Sequence, residues 1–414
     1  MKRRNLTPYF LSLLILLFLV GLTVGNLFLA ERFQIRDKFA VRYVAAKLWM
    51  GKGISPYSLE VSNTARDILS ERNYEIENPE DIAILEPVFF ILLYLPLSLL
   101  KFDISRAIWL TLIELSIMGT VFLSIKIAGW KIHVVEMILL ILFGILFYPG
   151  VKSILFGNPL PISVFLFILA IYLIFIKQET SAGIILALST FSLEIGFIIT
   201  LFLLIWCLFQ KQYMIVLLLL AGVGTFSLVS WLMFGNWTPE WLSVFIRINP
   251  GYSWISTPVM RITSAFTGGR VALNYIVHIS LVIYMLLEWF GAFGKKARII
   301  LWKAFITLVI VYFVNLWSKP EYLYLLIPGL FFILRFLNER WKFVGKIIGW
   351  LIILLILIGY WLIFTQKGNW FSVEPSAILL LLPFIVFIGL QWVRWWALKL
   401  PDIQQENYVL KKSL

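Results

Sequence analysis

An all-α, polytopic membrane fold is predicted by three observations. The 414-residue chain is 61% hydrophobic and 14% charged, with a mean hydropathy of +0.93; so few polar side chains cannot cover a soluble globule. Apolar runs of about 20 residues, the length a helix needs to cross roughly 30 Å of hydrocarbon, recur along nearly the whole sequence. The runs are continuously apolar, whereas the strands of a membrane barrel alternate. One integral-membrane domain over residues 1–414, with about eleven to twelve transmembrane helices, is therefore expected.

Taken in order, Met-Lys-Arg-Arg followed by Tyr9 to Ala30 is too long for a signal peptide and lacks a small-x-small cleavage site. It reads as a retained first span, its N-terminus held in the cytoplasm by Lys2, Arg3 and Arg4. Residues 31–81 form a polar first extracytoplasmic loop. Within it, Lys38 to Gly51 has apolar and aromatic residues at helical spacing with cations between them, which predicts an amphipathic helix lying in the membrane interface. Gly51, Gly53 and Pro56 end that helix, and Thr64 to Asn73 reads as a second short one. Ile82 to Leu100 is apolar but broken by Glu86-Pro87 and Pro96, which predicts a dip or a partial crossing.

Spans are expected near Ile108–Ile125, Val134–Tyr148, Leu160–Ile176, Gly183–Leu208 and Met214–Phe234. A second extracytoplasmic loop, residues 235–271, contains NWTPEW, RINPGYSW and TPVMRIT, rich in the Trp and Tyr of a membrane interface. Further spans follow near Ala272–Gly294, Ile299–Trp317, Tyr322–Leu337, Ile347–Phe364 and Ala377–Val393. Lys295, Lys296, Arg298, Arg340, Lys342, Lys346, Lys399, Lys411 and Lys412 all fall inside by the positive-inside rule. Placing Lys126, Lys131, Lys177 and Lys211 inside as well requires that Ile82–Leu100 not cross. It also requires Gly183–Leu208 to be a re-entrant hairpin with Glu194 at its outer apex.

Composition excludes several chemistries. The chain has 35 Lys and Arg against 22 Asp and Glu, but the excess is spread through short loops, as topology and anionic headgroups demand, so no nucleic-acid partner is expected. The one cysteine, Cys207, cannot form an intramolecular disulfide. Two histidines, His133 and His278, supply neither a metal cluster nor a serine-histidine triad. No Gly-rich phosphate loop ending in Lys-Ser/Thr is present. No metal or other cofactor is expected, and any reaction falls to carboxylates, cations and backbone groups.

Those groups are densest in Arg36 to Tyr57, RDKFAVRYVAAKLWMGKGISPY. Asp37, flanked by Arg36 and Lys38, is kept ionised and able to accept a proton; the plainer reading is a solvated juxtamembrane charge. The order acid, Phe39, Arg42-Tyr43, Ala45-Ala46, Gly51, Pro56-Tyr57 resembles the first-loop pattern of the bacterial GT-C polyprenol-phosphate-mannose-dependent alpha-mannosyltransferases. There, Asp-Phe precedes a tyrosine and Ala-Ala, then Gly and Pro-Tyr. Glu86-Pro87 with Leu95-Pro96-Leu97 and Ala107-x-Trp109 is similar to that family's Tyr-Pro-Pro, Pro-Leu and Ala-x-x-Trp run. Phe156-Gly157-Asn158 is similar to its Gly-Gln-Asn turn, and Ala182-Gly183 to the Ala-Gly opening its next helix. The likeness covers roughly residues 30 to 210; later, Ser318-Lys319-Pro320-Glu321-Tyr322 resembles a late loop.

The resemblance implies inverting transfer of a sugar, mannose or another hexose, from a polyprenyl-phosphate donor to a glycan or glycolipid acceptor on the outer face of a plasma membrane. The first-loop aspartate would be the general base, and the tail of the donor would lie in the bilayer. Cations near the surface would hold the phosphate as negative charge builds on it. Arg247, Arg261, Arg270 and Lys319 are candidates for that clamp, against the alternative of headgroup pairing. Tyr43, Trp49, Tyr57 and Trp254 are candidates for stacking on sugar faces, against interfacial anchoring. Asn158 joins the substrate-binding candidates through the matched turn.

Two departures stand out. Lys38 occupies the place immediately before the phenylalanine, with Asp37 one residue earlier. Ser192-Leu193-Glu194-Ile195-Gly196 carries an anion, Glu194, where the family tends to carry a lysine before a proline. Glu86 is accordingly the second candidate base, because an acid beside a proline at the start of an apolar run is costly unless it faces a cavity. Glu194 reads either in that way or as a helix-interior hydrogen-bonding group. Two rival functions remain. A secondary transporter predicts matching halves and broken helices in corresponding positions; a lipid-linked-sugar flippase or degenerate transferase predicts loss of the base.

Overall fold

The computed structural model describes residues 7–32, 38–71, 83–190, 193–248, 257–260, 263, 271–292, 297–314, 320–365 and 380–397. Among the described residues there are helices and no strands. Five helices contain segments long and apolar enough to cross a membrane: Ser12–Leu29, Phe102–Ala128, Tyr213–Phe234, Ala272–Phe290 and Pro320–Phe364. A sixth crossing is available from Val134–Leu146 and Tyr148–Leu155, which meet at 58°. The remaining apolar runs are shorter helices of 10–17 residues, among them Leu160–Phe175, Glu179–Ser189 and Leu381–Trp396. This is the architecture of an all-helical, multi-pass membrane protein. Five or six of the eleven to twelve expected crossings have full spanning length.

The chain divides into two compact units. Unit 1 comprises Met1–Thr120, Ile138–Thr200 and Tyr213–Tyr252; unit 2 comprises Val121–Met137, Leu201–Gln212 and Ser253–Leu414.

In unit 1, α1 (Thr7–Arg32) leads to α2 (Lys38–Lys52) and α3 (Leu59–Glu71) of the first loop. Only 6% of the spanning window of α1 is buried. A polar clasp holds it: Asn26 Nδ2 donates to Thr111 Oγ1 (3.1 Å) and to Glu114 Oε2 (2.9 Å) of a neighbouring helix. The segment before that helix has, among the described residues, no helix long enough to cross a membrane. It holds a six-residue 3-10 helix, Val88–Leu93, and the single turn α4 (Leu95–Ser98), with prolines at Pro87 and Pro96 removing the donors a longer helix needs.

After α5 (Phe102–Ala128), α6 (Val134–Leu146) and α7 (Tyr148–Leu155), the chain enters α8 (Leu160–Phe175) and α9 (Glu179–Ser189). The run expected as one span over Gly183–Leu208 is broken into α9 and α10 (Leu193–Phe209). Ser189 Oγ lies 3.5 Å from Thr200 Oγ1, whereas a continuous helix would hold those residues about 16 Å apart. The chain therefore reverses between them, as the placement of Lys177 and Lys211 requires. α9 packs against α8 and against α11 (Tyr213–Phe234). At Gly183 an added Cβ would lie 2.7 Å from Leu218 Cβ and 2.9 Å from the Ile215 carbonyl, so only glycine lets α9 and α11 approach this closely.

The first loop differs from expectation in one respect. α2 does not bury one face alone, because Phe39 to Ala46 are buried without a break. The sequence pattern is amphipathic only if Arg42 is counted as solvated, and Arg42 is instead buried in an ion pair.

Unit 2 is built on α13 (Val271–Phe290), α14 (Ala297–Val314), the 3-10 helix Pro320–Leu326, α15 (Ile327–Thr365) and α16 (Leu381–Ala397), with α12 (Thr238–Ile248) belonging to unit 1. α15 is interrupted at Lys342, whose φ of 45° and ψ of −116° are non-helical. Leu334 Cδ2 falls 3.5 Å from the Cβ position of Gly349; a straight helix would place residues fifteen apart at about 22 Å. α15 is thus two antiparallel helices, 327–341 and 343–365, joined by one residue.

Buried tryptophans lock unit 2 together. Trp302 Nε1 donates to the Leu390 carbonyl at 2.6 Å, and Trp289 Nε1 to Thr307 Oγ1 at 3.0 Å. Beside them, Glu288 accepts from Lys303 Nζ at 3.0 Å through Oε2 and from Arg394 Nη1 through Oε1.

Candidate functional site

The residues that carry chemistry gather in unit 1 around the N-terminal half of α2. Phe39, fully buried, is the hub of an aromatic cluster. Its ring centroid lies 5.7 Å from Tyr43, 5.8 Å from Tyr94 and Phe102, and 6.1 Å from Trp109, and Tyr94 and Trp109 are 4.5 Å apart. Such rings supply large apolar area and favourable tilted or edge contacts, so the start of α2 is held by side chains from two later segments, Tyr94 before α4 and Phe102 and Trp109 of α5. The backbone is tied as well: Lys38 N–H donates to the Phe156 carbonyl at 2.9 Å.

On this platform Arg42 is fixed at every side. Its guanidinium donates to the Lys38 carbonyl one turn back and to Glu86 Oε1, and its Cζ lies 5.7 Å from the Phe90 ring centroid. Glu86 is brought in by Pro87 and the 3-10 helix that follows. Its side chain is 19% exposed, and its second oxygen, Oε2, is buried with no hydrogen-bond partner. An unmatched buried carboxylate oxygen costs about 1–3 kcal/mol or more.

The backbone around Glu86 is clamped from two directions. Tyr57 Oη donates to the Glu86 carbonyl at 2.9 Å, and Trp241 Nε1 of α12 donates to the Leu85 carbonyl at 2.8 Å. Ser55 Oγ donates to Glu240, which joins the two loops directly, and the 85–86 backbone takes one hydrogen bond from each of them. Burial, then the Glu86 carboxylate and then that of Glu240, push the Tyr57 hydroxyl well above the ordinary tyrosine range. Tyr57 is therefore a neutral donor at physiological pH.

The Phe156-Gly157-Asn158 turn closes the other side. Gly157 has φ of 60°, a left-handed conformation that glycine adopts without penalty. Its carbonyl accepts from Trp109 Nε1 at 2.9 Å. Asn158 N–H donates to the Ser153 carbonyl at 2.9 Å, while Asn158 Oδ1 accepts from Leu160 N–H at 3.1 Å. Arg106 and Lys152, both buried, flank this turn. Arg106 Nη2 lies 3.4 Å from the Leu155 carbonyl, and Lys152 Nζ lies 5.3 Å from the Phe156 ring centroid.

The expected site residues fare differently. Tyr57 and Glu86 meet in unit 1 as described, while Asn158 is spent on its own turn, bonding Ser153 and Leu160. Tyr43 is 1% exposed, with its ring in the aromatic cluster and its hydroxyl donating to the Leu100 carbonyl at 2.8 Å; it holds the platform and offers no open ring face. Trp49 packs on Phe234 with centroids 4.6 Å apart. Arg247 sits in α12, the helix docked by Trp241, and Glu194 in the first turn of α10; the backbone alone is described at both. Asp37, Arg261, Arg270, Lys319 and Trp254 lie outside the described residues.

Sequence reasoning missed Arg42, Arg106, Lys152 and Trp241 as site residues. Arg42 stands one turn after Lys38 in a helix with alternating apolar and basic residues, which is a signal of a second cation on the same face. Nothing local marks its partner 44 residues later.

Comparisons with protein-family models, curated proteins and solved structures found no match. The reading of the site therefore rests on its own residues.

Proposed function

We propose that the chain is an integral-membrane glycosyltransferase of GT-C type that moves a hexose from a polyprenyl phosphate to a glycan or glycolipid at the outer face of a plasma membrane. The observation that carries this reading is a carboxylate, Glu86, held through one oxygen by a buried arginine and keeping the other without a hydrogen bond. Segments that resemble the mannosyltransferases converge on the first turns of α2: the Trp109 ring centroid lies 6.1 Å from that of Phe39, the Phe156 carbonyl accepts from Lys38 N–H, and Glu86 pairs with Arg42. They are far apart in sequence, and a chance likeness gives no reason for them to converge.

In this reading the acceptor hydroxyl donates its hydrogen bond to Glu86 Oε2. As the hydroxyl oxygen bonds to the anomeric carbon from the face opposite the phosphate, Glu86 takes the proton and the bond to the phosphate oxygen breaks. The sugar changes anomeric configuration, and polyprenyl phosphate leaves with the electron pair. Arg42 orients the carboxylate; Tyr57 and Trp241 fix the backbone that carries it. Asp37 is the alternative base, one residue before the anchored Lys38.

The test is transfer of radiolabelled sugar from polyprenyl-phosphate-mannose and polyprenyl-phosphate-glucose to membrane glycolipids by the purified chain, compared with Glu86→Gln and Asp37→Asn. Transfer lost in Glu86→Gln and kept in Asp37→Asn is expected. The reverse pattern moves the base to Asp37, and no transfer from either donor by folded wild type sinks the transferase reading.

A further inference from the structure

Several cations of unit 2 are answered by an acid. Lys303 and Arg394 share Glu288, Arg335 pairs with Glu339 at 3.1 Å, and Lys346 pairs with Glu136. Arg340 is answered by rings instead. The acid next to it in sequence, Glu339, turns back to Arg335, and among the described residues no carboxylate or hydrogen-bond acceptor meets the Arg340 guanidinium. Its Cζ lies 5.8 Å from the ring centroid of Trp341, 5.5 Å from that of Trp392 and 5.1 Å from that of Trp396. Two helices build this cage. Trp392 and Trp396 stand one turn apart on α16 and stack at 5.7 Å, with 16° between their planes. Trp341, at the end of the 327–341 limb of α15, closes on Trp392 at 5.9 Å; Phe336, one turn before Arg340, meets Trp396 edge-on at 6.4 Å.

A cation among aromatic rings is held by their quadrupoles, which fixes a long side chain without spending its N–H groups. Arginine suits both tasks, since its flat guanidinium stacks on rings and still offers a planar fork to a phosphate. The cage is open to its surroundings: Arg340 is exposed, and so are Trp341, Phe343, Val344 and Trp395 near it. Tryptophans and apolar side chains exposed around a cation at the end of membrane helices belong to the boundary between headgroups and hydrocarbon. An anion that reaches a guanidinium there arrives on a lipid. Counting Lys and Arg places this end of α15 in the cytoplasm, where the bilayer surface is negative and basic pockets between helices take anionic headgroups.

We propose that Arg340, caged by Trp341, Trp392 and Trp396, is a binding site for the phosphate of an anionic phospholipid in the cytoplasmic leaflet. The headgroup phosphate accepts hydrogen bonds from the unspent N–H groups of the guanidinium, and the acyl chains lie against Phe343 and Val344. The lipid thereby fastens the 327–341 limb of α15 to α16 from outside. Nothing in this inference depends on the transferase reading.

Native mass spectrometry of the full chain in detergent, titrated with phosphatidylglycerol or phosphatidylcholine, gives the dissociation constant of the first lipid retained. Wild type should hold phosphatidylglycerol about tenfold tighter than phosphatidylcholine, and Arg340→Gln should lose most of that preference. Arg340→Lys should fall between the two, because it keeps the charge and loses the fork and the stack. Trp392→Leu, which opens one wall of the cage and leaves the arginine, should weaken binding several-fold. Lys342→Gln removes the same charge two residues away and should keep the affinity within about twofold. Millimolar inorganic phosphate should not displace the lipid. Wild type without a preference for phosphatidylglycerol overturns the proposal before any variant is made. So does Arg340→Gln or Arg340→Lys binding with the full preference of wild type. A loss in Lys342→Gln equal to that in Arg340→Gln also overturns it, by reducing the site to general basic charge. Displacement by inorganic phosphate does so as well, by assigning the cage to a free ion.

Discussion

Each unit pairs an acid with a buried cation, and the two do it differently. In unit 2, Glu288 spends both oxygens, one on Lys303 and one on Arg394, and Lys303 also donates to the Glu288 carbonyl. In unit 1, Glu86 spends one oxygen on Arg42 and leaves the other without a bond. A saturated network fastens helices together, here α13, α14 and α16, and has nothing left to offer a substrate. An incomplete one keeps a high-energy acceptor in place only because the surrounding packing, centred on Phe39, holds it there. The contrast marks one cluster as a fastener and the other as a place for chemistry.

The contrast breaks most decisively at Glu86. Glu86→Gln is expected to slow transfer by about 10²–10⁴-fold, the usual worth of a general base, with little change in melting temperature. A rate equal to wild type would put Glu86 in the same class as Glu288. The counterpart, Glu288→Leu, strands Lys303 in an apolar interior and should cost about 3–5 kcal/mol of stability, read as a lower melting temperature. Transfer per folded molecule should stay intact; a selective loss of activity would end the distinction between the two units.

Smaller changes sharpen it. Trp241→Phe removes the donor to the Leu85 carbonyl and should cost about 1 kcal/mol. It should raise KM more than it lowers kcat, because the loop that presents Glu86 loosens while the carboxylate remains; an unchanged KM would show that α12 does not position the site. The smallest effect belongs to Tyr57→Phe and depends on pH. Because the folded state holds the Tyr57 proton more tightly than the unfolded chain, whose tyrosines titrate near pH 10 (about 10), the hydroxyl's contribution is complete below that pH. It is lost as the pH rises further. The melting-temperature gap between wild type and Tyr57→Phe should hold steady from neutral pH to about 10 and close above it. A gap that changes already near neutrality would contradict the shift.

Much of the helical layout was legible because hydropathy is local: nearly every long apolar run became a helix, and Pro87 and Pro96 keep the helices at 88–98 short by removing donors. The turn at Phe156-Gly157-Asn158 was noticed only through its resemblance to a known motif, and the left-handed φ of Gly157 explains its glycine. What resisted reading was tertiary. Arg42 makes α2 look interfacial until its partner is known, and that partner is fixed by packing across 44 residues. Arg106 and Lys152 drew no notice because sequence counts charge without burial. The breaks at Lys177, Lys211 and Lys342 fall between expected spans, but their geometry did not show, for all three lysines have positive φ, where glycine or asparagine is the usual occupant.

Lys342 has a consequence for how this protein is made. A connection of one residue has no slack, so 327–341 and 343–365 cannot settle into a membrane one after the other; they must enter as a finished pair. An epitope or reporter inserted at that position would pry the pair apart, and Gly345→Ala would press a methyl group onto the Leu337 carbonyl, which cannot rotate away. A cysteine at position 342, by contrast, replaces an exposed tip and changes nothing beneath it. Labelled from one side of a sealed vesicle, it reports in a single reading which way the finished pair faces.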